Sequence, residues 1–506
     1  MSVPARTTTG QPSDPEGPTG QLAGWLATTT SAEIPAPVRE RAAHLVLDGL
    51  ACALIGAQLP WSRTAVRAVL ALEGTGDVPV IGWGRTTGAP AAAVLNGTFI
   101  QGFELDDYYP AAPLHSASLV LPALLSTAAQ AAGPVSGTEF LRATVLGFET
   151  GTRVGRALNG PEMLARGWHS GSVFGTHAAA AACGALRGLS AAQFEDALGL
   201  AGTQSAGLMA AQYEAMSKRM HHGLASRNGY YAAGLAHGGY TGIKRVFERP
   251  YGGFLATFGE GHHPDPAQIT EELGRTWNTE KITVKIHAAM GGLHPAIDAA
   301  IALSADCGLT ADRRLSADRR LGAGRELGAD RRLGADDIEA VRIEVPEAIH
   351  HHGWWPPERP LTTIGAQMNI AYATAVALLD GHVRPEQFLP RRIDADDVWD
   401  VIRRTEVKRV DERQEPSWDQ PGYNTRVTVT LRGGASLTQA LNQPRGGPDD
   451  PLTNTEIREK YRALTARVID ADRAAEIERL VLDLEAQPDL DRLVHLLAAP
   501  VRGALD

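Results

Sequence analysis

The strongest constraint on this chain is a change of hydrophobic period. From about Leu22 to Thr279 apolar residues recur at helical spacing, as in Val38, Ala42, Leu45 and Val46, and strand-like alternation is scarce. Ser190 to Gln193 fits a capping box, with Phe194, Ala197, Leu198 and Ala201 following on one face. The run Ala178–Ala182 suits a tight helix–helix contact. After about Lys281 the period falls to two. Ile338 to Val345 alternates as a half-buried strand does, and Arg426 to Leu431 repeats the pattern. Gly433-Gly434 then turns into Ala435–Thr438, a hairpin signal. A helix over Gln367 to Asp380 lies between the strands. Ile477, Leu480, Val481 and Leu484 return to helical spacing.

Helix, mixed, helix is the order of a mainly α fold with a smaller α+β domain. The expected parts are a large, discontinuous all-helical domain at 22–279 and 448–506, and an α+β lid at 280–447. Residues 1–21 are expected to form a disordered tail. A hexad repeat starting at Ala311, Ala317, Ala323 and Ala329 matches neither a heptad nor a solenoid period. It is read as a surface insertion spanning 305–336.

At 506 residues and 43% hydrophobic, the chain exceeds one small core. The formal charge of -10 runs against nucleic-acid binding, which favours a basic surface. It does not exclude an anionic substrate in one locally basic pocket. Cys52, Cys183 and Cys307 are few and scattered, which argues against a disulfide framework or a CxxC metal site. The N-terminus lacks an apolar signal region, and the uncharged stretch from Tyr108 to Thr138 carries Pro, His, Ser and Gln, so neither export nor a membrane span is expected. A cytoplasmic enzyme with no metal, no nucleic-acid partner and no membrane partner is the expectation.

Four segments set polar groups among small apolar residues. Glu104-Leu-Asp-Asp107 precedes Tyr108, Tyr109 and His115-Ser116. Three carboxylates in four residues are costly if buried and must then be paired. A solvated loop would also explain them, as would a carboxylate orienting a proton-transferring partner. Gly167-Trp-His169 places an imidazole before a Gly/Ser turn. Lys218-Arg219-Met-His221-His222, with Arg227 beyond, concentrates positive charge in an acidic protein. Lys285-Ile-His287 precedes His294-Pro295, where proline fits a first helical turn. His350-His-His352 and His262-His263 are set aside, the first because three consecutive histidines cannot all face one metal. Together, His115, His169, Lys218 and Lys285 suit a polycarboxylate and proton transfer without a metal.

These segments, in this order, resemble the MmgE/PrpD family. The matching stretches run from Asn96-Gly97 through Asp107 to His115-Ser116, then Gly167 to His169, Lys218 to His221 with Arg227-Asn228-Gly229, and Lys285 to Asp298. Within the family, Leu47 to Cys52, Phe99 through Ala112 to Ser118, Gly238 to Tyr240, Glu248-Arg249 with Tyr251 to Phe254, and Gly353 to Pro360 look closest to the fungal-type cis-aconitate decarboxylases. The resemblance implies a helical domain, an α+β lid, a homodimer, an active site between the two, and no cofactor. Carried over by position, its site residues fall on Glu104, Tyr108, His115, His169, Lys218, Lys285 and Tyr372. Relatives often have Asp at Glu104, Thr at Tyr108, and Cys or His at Met290. The candidate catalytic set is therefore His115, His169, Lys218, Lys285, Glu104 and Asp107. Tyr108, His221, Arg227, Tyr372 and Met290 are candidates for binding substrate.

The implied reaction is cofactor-independent decarboxylation of cis-aconitate to itaconate, or of a close unsaturated tricarboxylate. A hydro-lyase of the 2-methylcitrate dehydratase type would use the same cationic clamp. A non-catalytic helical scaffold is the third reading, suggested by Met290 and Tyr108. Either His115 or His169 could donate the proton, with Glu104 or Asp107 orienting the ring; spacing does not choose between them.

Overall fold

In the computed structural model the chain is described over residues 10–317, 333–410, 424–447 and 449–506, with side chains left aside at 306–317. The architecture is mainly α with a smaller α+β part, as the change of period requires. Small residues set the helical packing. A Cβ at Gly147, in the helix Gly137–Ala157, would meet Ala182 Cβ at 2.8 Å. The alanine run predicted to sit at a tight contact is thus pressed against that helix from the helix Gly175–Leu186. Gly97 in the helix Ala89–Ile100 and Gly223 in the helix Ser217–His237 meet the same way: a Cβ on Gly223 would lie 2.1 Å from the Val94 carbonyl oxygen. That crossing carries the start of the Ser217–His237 helix to the end of the Ala89–Ile100 helix.

A two-stranded hairpin, β1 (Val78–Val80) with β2 (Arg85–Thr87), interrupts the helical part. The second part is a four-stranded sheet of β3 (Ile338–Val345), β4 (Thr405–Arg409), β5 (Thr425–Leu431) and β6 (Ser436–Leu441) in the order β4-β3-β5-β6. β3 runs parallel to β4 and antiparallel to β5, and β5 and β6 form the expected hairpin. The helix His294–Ala317 packs on β5, β6 and the helix Ile370–Asp380. Near the C-terminus, the helix Asn454–Thr465 returns to pack on the helix Ala36–Gly56.

Two expectations need correction. The tail is ordered from residue 10: Ser13 N–H donates to Glu195 at 2.8 Å, and a helix begins at Pro18. The buried Glu195 carboxylate supplies an anchor that composition concealed. The helix expected over Gln367–Asp380 is two, Thr363–Met368 and Ile370–Asp380, because Asn369 breaks the first and caps the second through the Ala371 and Tyr372 N–H groups. The hexad repeat past Ala317 lies outside the described residues. Cys52 and Cys183 are buried, with their thiols pushed up by burial, as small hydrophobes would be. Among the described residues no single helix is long and apolar enough to cross a membrane.

Candidate active site

The helix Ala89–Ile100 runs into a turn at Gln101–Phe103 and stops at Glu104, whose backbone is left-handed (φ 55°, ψ 35°). A non-glycine residue there carries local strain and needs compensating contacts. Glu104 has them. Its buried carboxylate accepts from Lys218, from Arg219 at 3.3 Å and from Lys285 at 3.0 Å. Burial would raise this carboxyl, but Lys218, Lys285 and Arg219 outweigh it and hold it well below the usual range. Lys285 arrives by backbone pairing. Tyr108 and Thr283 exchange N–H···O bonds of 3.0 and 2.9 Å, which lays the 283–285 segment beside 104–108. Lys285 Nζ also lies 3.5 Å from Asp106.

The consecutive aspartates divide their work. Asp106 lies 3.1 Å from His115 Nδ1, leaving Nε2 as the ring's other nitrogen. His115 and Lys285 overcome the effect of burial and keep Asp106 below the ordinary carboxylate range. Asp107 instead accepts from the Ser116 and Ala117 N–H groups, the first of the helix Ser116–Ala128. Burial, reinforced by neighbouring Asp106, pushes it up to about 7.

His169 precedes the short helix Ser170–Val173 and is held by its N–H to the Gly207 carbonyl, 3.0 Å. Its ring packs against His221 (centroids 4.4 Å apart) and His222 (5.1 Å). His222 Nδ1 pairs with Ser118 Oγ at 2.8 Å, and its ring lies 4.9 Å from that of His115. Burial pushes His169 and His222 well down, with neighbouring imidazoles adding to the effect, and brings His221 to about 4. All three are neutral near pH 7.

These groups face one cavity of about 670 Å³, lined by Glu104, Tyr108, His115, His169, Lys218, Lys285 and Met290 among others. His221 supports it from behind His169. Three of the residues singled out from the sequence lie elsewhere. Asp107 is spent on the helix N-terminus. Tyr372 is fully buried and donates its hydroxyl to the Gln387 carbonyl, in the core beneath the Ile370–Asp380 helix. Arg227, two turns beyond His221, lies against Asn228.

Sequence reasoning missed five groups: Asp106, which takes the place beside His115 expected for Glu104 or Asp107, His222 between the His115 and His169 rings, and three more. Arg219 stands beside Lys218 and completes the clamp on Glu104, and the Trp61 ring stacks on its guanidinium at 5.3 Å. Its other partner is Gln367, which also donates to the Phe103 and Ala288 carbonyls at 2.9 and 2.8 Å. His352, set aside with its neighbours, lines the cavity from the helix Glu347–Gly353 and is brought to about 4 by burial and Lys218. The tripling itself hid it: on a helix, only one of three adjacent side chains need face inward.

Asp106, His115 and His222 offer ligand atoms within 4.8 Å of one another, close enough for a metal ion. Lys285 already occupies the Asp106 side of that trio, however, and a divalent ion would meet its fixed charge. The arrangement suits anions better. In the pole around Glu104, three cations meet two carboxylates, so positive charge is left for a substrate.

The chain matches the MmgE/PrpD N-terminal domain over residues 20–267 and the MmgE/PrpD C-terminal domain over residues 287–486. It is 44% identical over 499 residues to a cis-aconitate decarboxylase-like protein of Aspergillus oryzae, covering 96% of this chain and 98% of that one. It is 39% identical over 502 residues to the cis-aconitate decarboxylase of Aspergillus terreus, covering 97% of each. Human cis-aconitate decarboxylase is similar at 25% identity over 417 residues, 81% of this chain and 79% of the human one.

Proposed function

This chain belongs to the MmgE/PrpD family, and from that premise we propose that it is a cofactor-independent carboxy-lyase converting cis-aconitate to itaconate. The observation that carries the reading is the single cavity in which Lys218 and Lys285, already spaced by Glu104, face His115 backed by Asp106. The relatives named for this activity support it along almost the whole chain.

In this reading Lys218 and Lys285 hold the substrate carboxylates, with Arg219 behind them on Glu104. The bond between the methylene carbon and its carboxylate breaks, and carbon dioxide leaves. The electron pair forms a new terminal alkene and shifts negative charge to the carbon beside another carboxylate. Fixed cations in a largely buried site stabilise that charge as it develops. His115 then protonates this carbon from Nε2, while Asp106 receives the Nδ1 side. Neutral His169 hydrogen-bonds a carboxylate or the developing anion. Glu104 is a positioning residue, which keeps two lysines and an arginine from repelling each other apart.

Residues 22–279 and 448–506 are the helical body in this reading, and 280–447 the lid that brings Met290 and His352 over the cavity. A second copy of the chain would cover the apolar side chains left exposed near the Ser217–His237 helix, among them Tyr213, Met216, Tyr231 and Leu235. Such a homodimer would work in the cytoplasm.

The test is incubation of the purified protein with cis-aconitate and, separately, 2-methylcitrate, with products followed by NMR and carbon dioxide measured. One carbon dioxide per itaconate is expected. Water loss from 2-methylcitrate with no gas from cis-aconitate would make the protein a hydro-lyase instead.

A further inference from the structure

Cis-aconitate carries three carboxylates, and the pole around Glu104 does not answer all of them. There three cations already meet two carboxylates, so a single positive charge is left over. A carboxylate drawn out of water needs hydrogen-bond donors wherever no cation meets it. The donors that remain must be neutral groups elsewhere on the cavity wall.

The α+β part faces that pole with a mostly apolar wall, to which Met290, Ile349 and Met368 belong. Two side chains break the pattern. Among the described residues that line the cavity from beyond residue 286, only His352 and Gln443 have a side-chain N–H to offer. His352 is near enough to Lys218 and Glu104 to sense both charges, and burial and Lys218 bring it to about 4, so its ring is neutral near pH 7. Gln443 follows β6 and is half-buried. Its side-chain oxygen is shut off from water and has no hydrogen-bond partner among the described residues. An unpaired buried amide atom is costly. Turning the amide over puts Nε2 in that place, where a carboxylate would satisfy it.

Backbone contacts fix both groups relative to the pole. Gly446, at φ 86°, lies so close to the strand of Lys285 that a Cβ there would meet the Val284 carbonyl oxygen at 2.6 Å. Arg445 N–H donates to Asp298 at 3.0 Å, and the other oxygen of Asp298 lies 2.8 Å from His287 Nε2. The turn that carries Gln443 is thereby pinned on both sides of Lys285. Gly353, next to His352, packs against the 290–293 segment: a Cβ there would lie 2.7 Å from Leu293 Cδ2 and 3.0 Å from Met290 Cε.

We propose that His352 and Gln443 hold the carboxylate that the Lys218–Lys285 pole leaves unpaired, and so distinguish a tricarboxylate from a dicarboxylate. The inference rests on the reading of the substrate as a triacid of the cis-aconitate type and names the residues that select it. A diacid would take the pole and leave His352 and Gln443 without a partner.

The experiment measures binding by calorimetry, so that it does not depend on turnover. The probes are tricarballylate, a saturated triacid, and two diacids: glutarate, which lacks its central carboxylate, and methylsuccinate, which lacks an end one. Wild type is expected to bind tricarballylate at least about 10-fold tighter than the better diacid, as one hydrogen bond to a charged group provides. His352→Phe and Gln443→Leu should each remove most of that preference and leave the better diacid's affinity unchanged. His352→Gln, which keeps an N–H, should restore part of it. Thermal melts check that each variant is folded, and either substitution decides the question alone. Equal weakening of triacid and diacids would mean a structural role only and overturns the proposal. So does a wild type that binds all three alike, even if it releases carbon dioxide from cis-aconitate; the decarboxylase then stands without this selection. A preference lost in the variants, with no carbon dioxide from wild type, supports the assignment and removes the decarboxylase reading.

Discussion

His115 and His169 occupy matching local positions, each the residue before a helix, yet they sit in opposite surroundings. His115 has a carboxylate at Nδ1, and that carboxylate is fixed by Lys285. His169 has two imidazoles against its ring and no hydrogen-bond partner at Nδ1 among the described residues. The Asp106 carboxylate fixes the His115 ring through Nδ1 and leaves Nε2 as its other nitrogen, whereas burial among neighbouring imidazoles near Lys218 disfavours a proton on His169. The difference teaches that the helix-end position supplies aim, while the neighbours supply chemistry. In the proposed reading, proton donation accordingly falls to His115 and neutral hydrogen bonding to His169.

The largest expected effect tests that assignment. His115→Gln should lower kcat by about 10³, within the usual range for a lost general acid, and His169→Gln by about 10-fold with a rise in KM. Steady-state assays of carbon dioxide release decide it, and the reverse ranking breaks the comparison. Asp106→Asn should follow His115 at about 10² in kcat, since it leaves the ring unsupported. Asp107→Asn should spare kcat and instead cost about 1 kcal/mol of stability in thermal melts, as weakening of a helix-terminus anchor does.

A third histidine gives the extreme case. His177 is fully buried between Phe247 and Phe254, away from the cavity, and burial brings it to about 3. The unfolded chain, with an ordinary imidazole, therefore takes up the proton first as pH falls. The neutral ring's contribution is complete above about pH 6.5 and is lost progressively below it. At pH 5 the penalty is about 2 kcal/mol. His177→Phe should accordingly raise the melting temperature at pH 5 relative to wild type more than at pH 8. Equal shifts at both pH values would show that His177 does not titrate as its surroundings require.

The smallest effect concerns how the His115 side is held. Lys460 donates to the Leu105 carbonyl and pairs with buried Asp48, both at 2.6 Å, bracing the loop between Glu104 and Asp106 from the C-terminal segment. Removing either charge alone would strand the other. The double variant Asp48→Leu/Lys460→Met removes both together and should change stability by no more than about 1 kcal/mol. Its kcat should fall by about 3-fold, because the loop that aims His115 loses one tether.

Much of this was legible without coordinates, for reasons that differ by residue. The strands at Ile338 and Arg426 announced themselves by alternation, and Gly433-Gly434 by turn chemistry. His115, His169, Lys218 and Lys285 stood out as polar groups among alanines and glycines. The sequence pointed to Glu104 or Asp107 as the carboxylate orienting the imidazole, and the structure gives that place to Asp106. Adjacent residues point in different directions, and only the path of the loop decides which meets the imidazole and which meets the helix N-terminus. Arg219 was visible beside Lys218 but had no partner to identify it until Glu104 folded against it. Gln367 carried no signal, because a buried amide bridging two carbonyls and a guanidinium looks in sequence like any other glutamine. Tyr372 misled, since its position matched while its hydroxyl is spent on a backbone carbonyl.

By itself the sequence determined the two periods, and so a helical body with a smaller α+β part. It also determined the residue types available for chemistry, because both follow from local spacing and composition. Only the tertiary structure decided which charges meet. Glu104 lies more than a hundred residues from Lys218 and Lys285, and its neutralising role exists only once the Gly97–Gly223 crossing and the Tyr108–Thr283 pairing bring all three together. The acidic chain thereby acquires a cationic cavity, because buried charges act on their near neighbours while the net charge is spread over solvated surface.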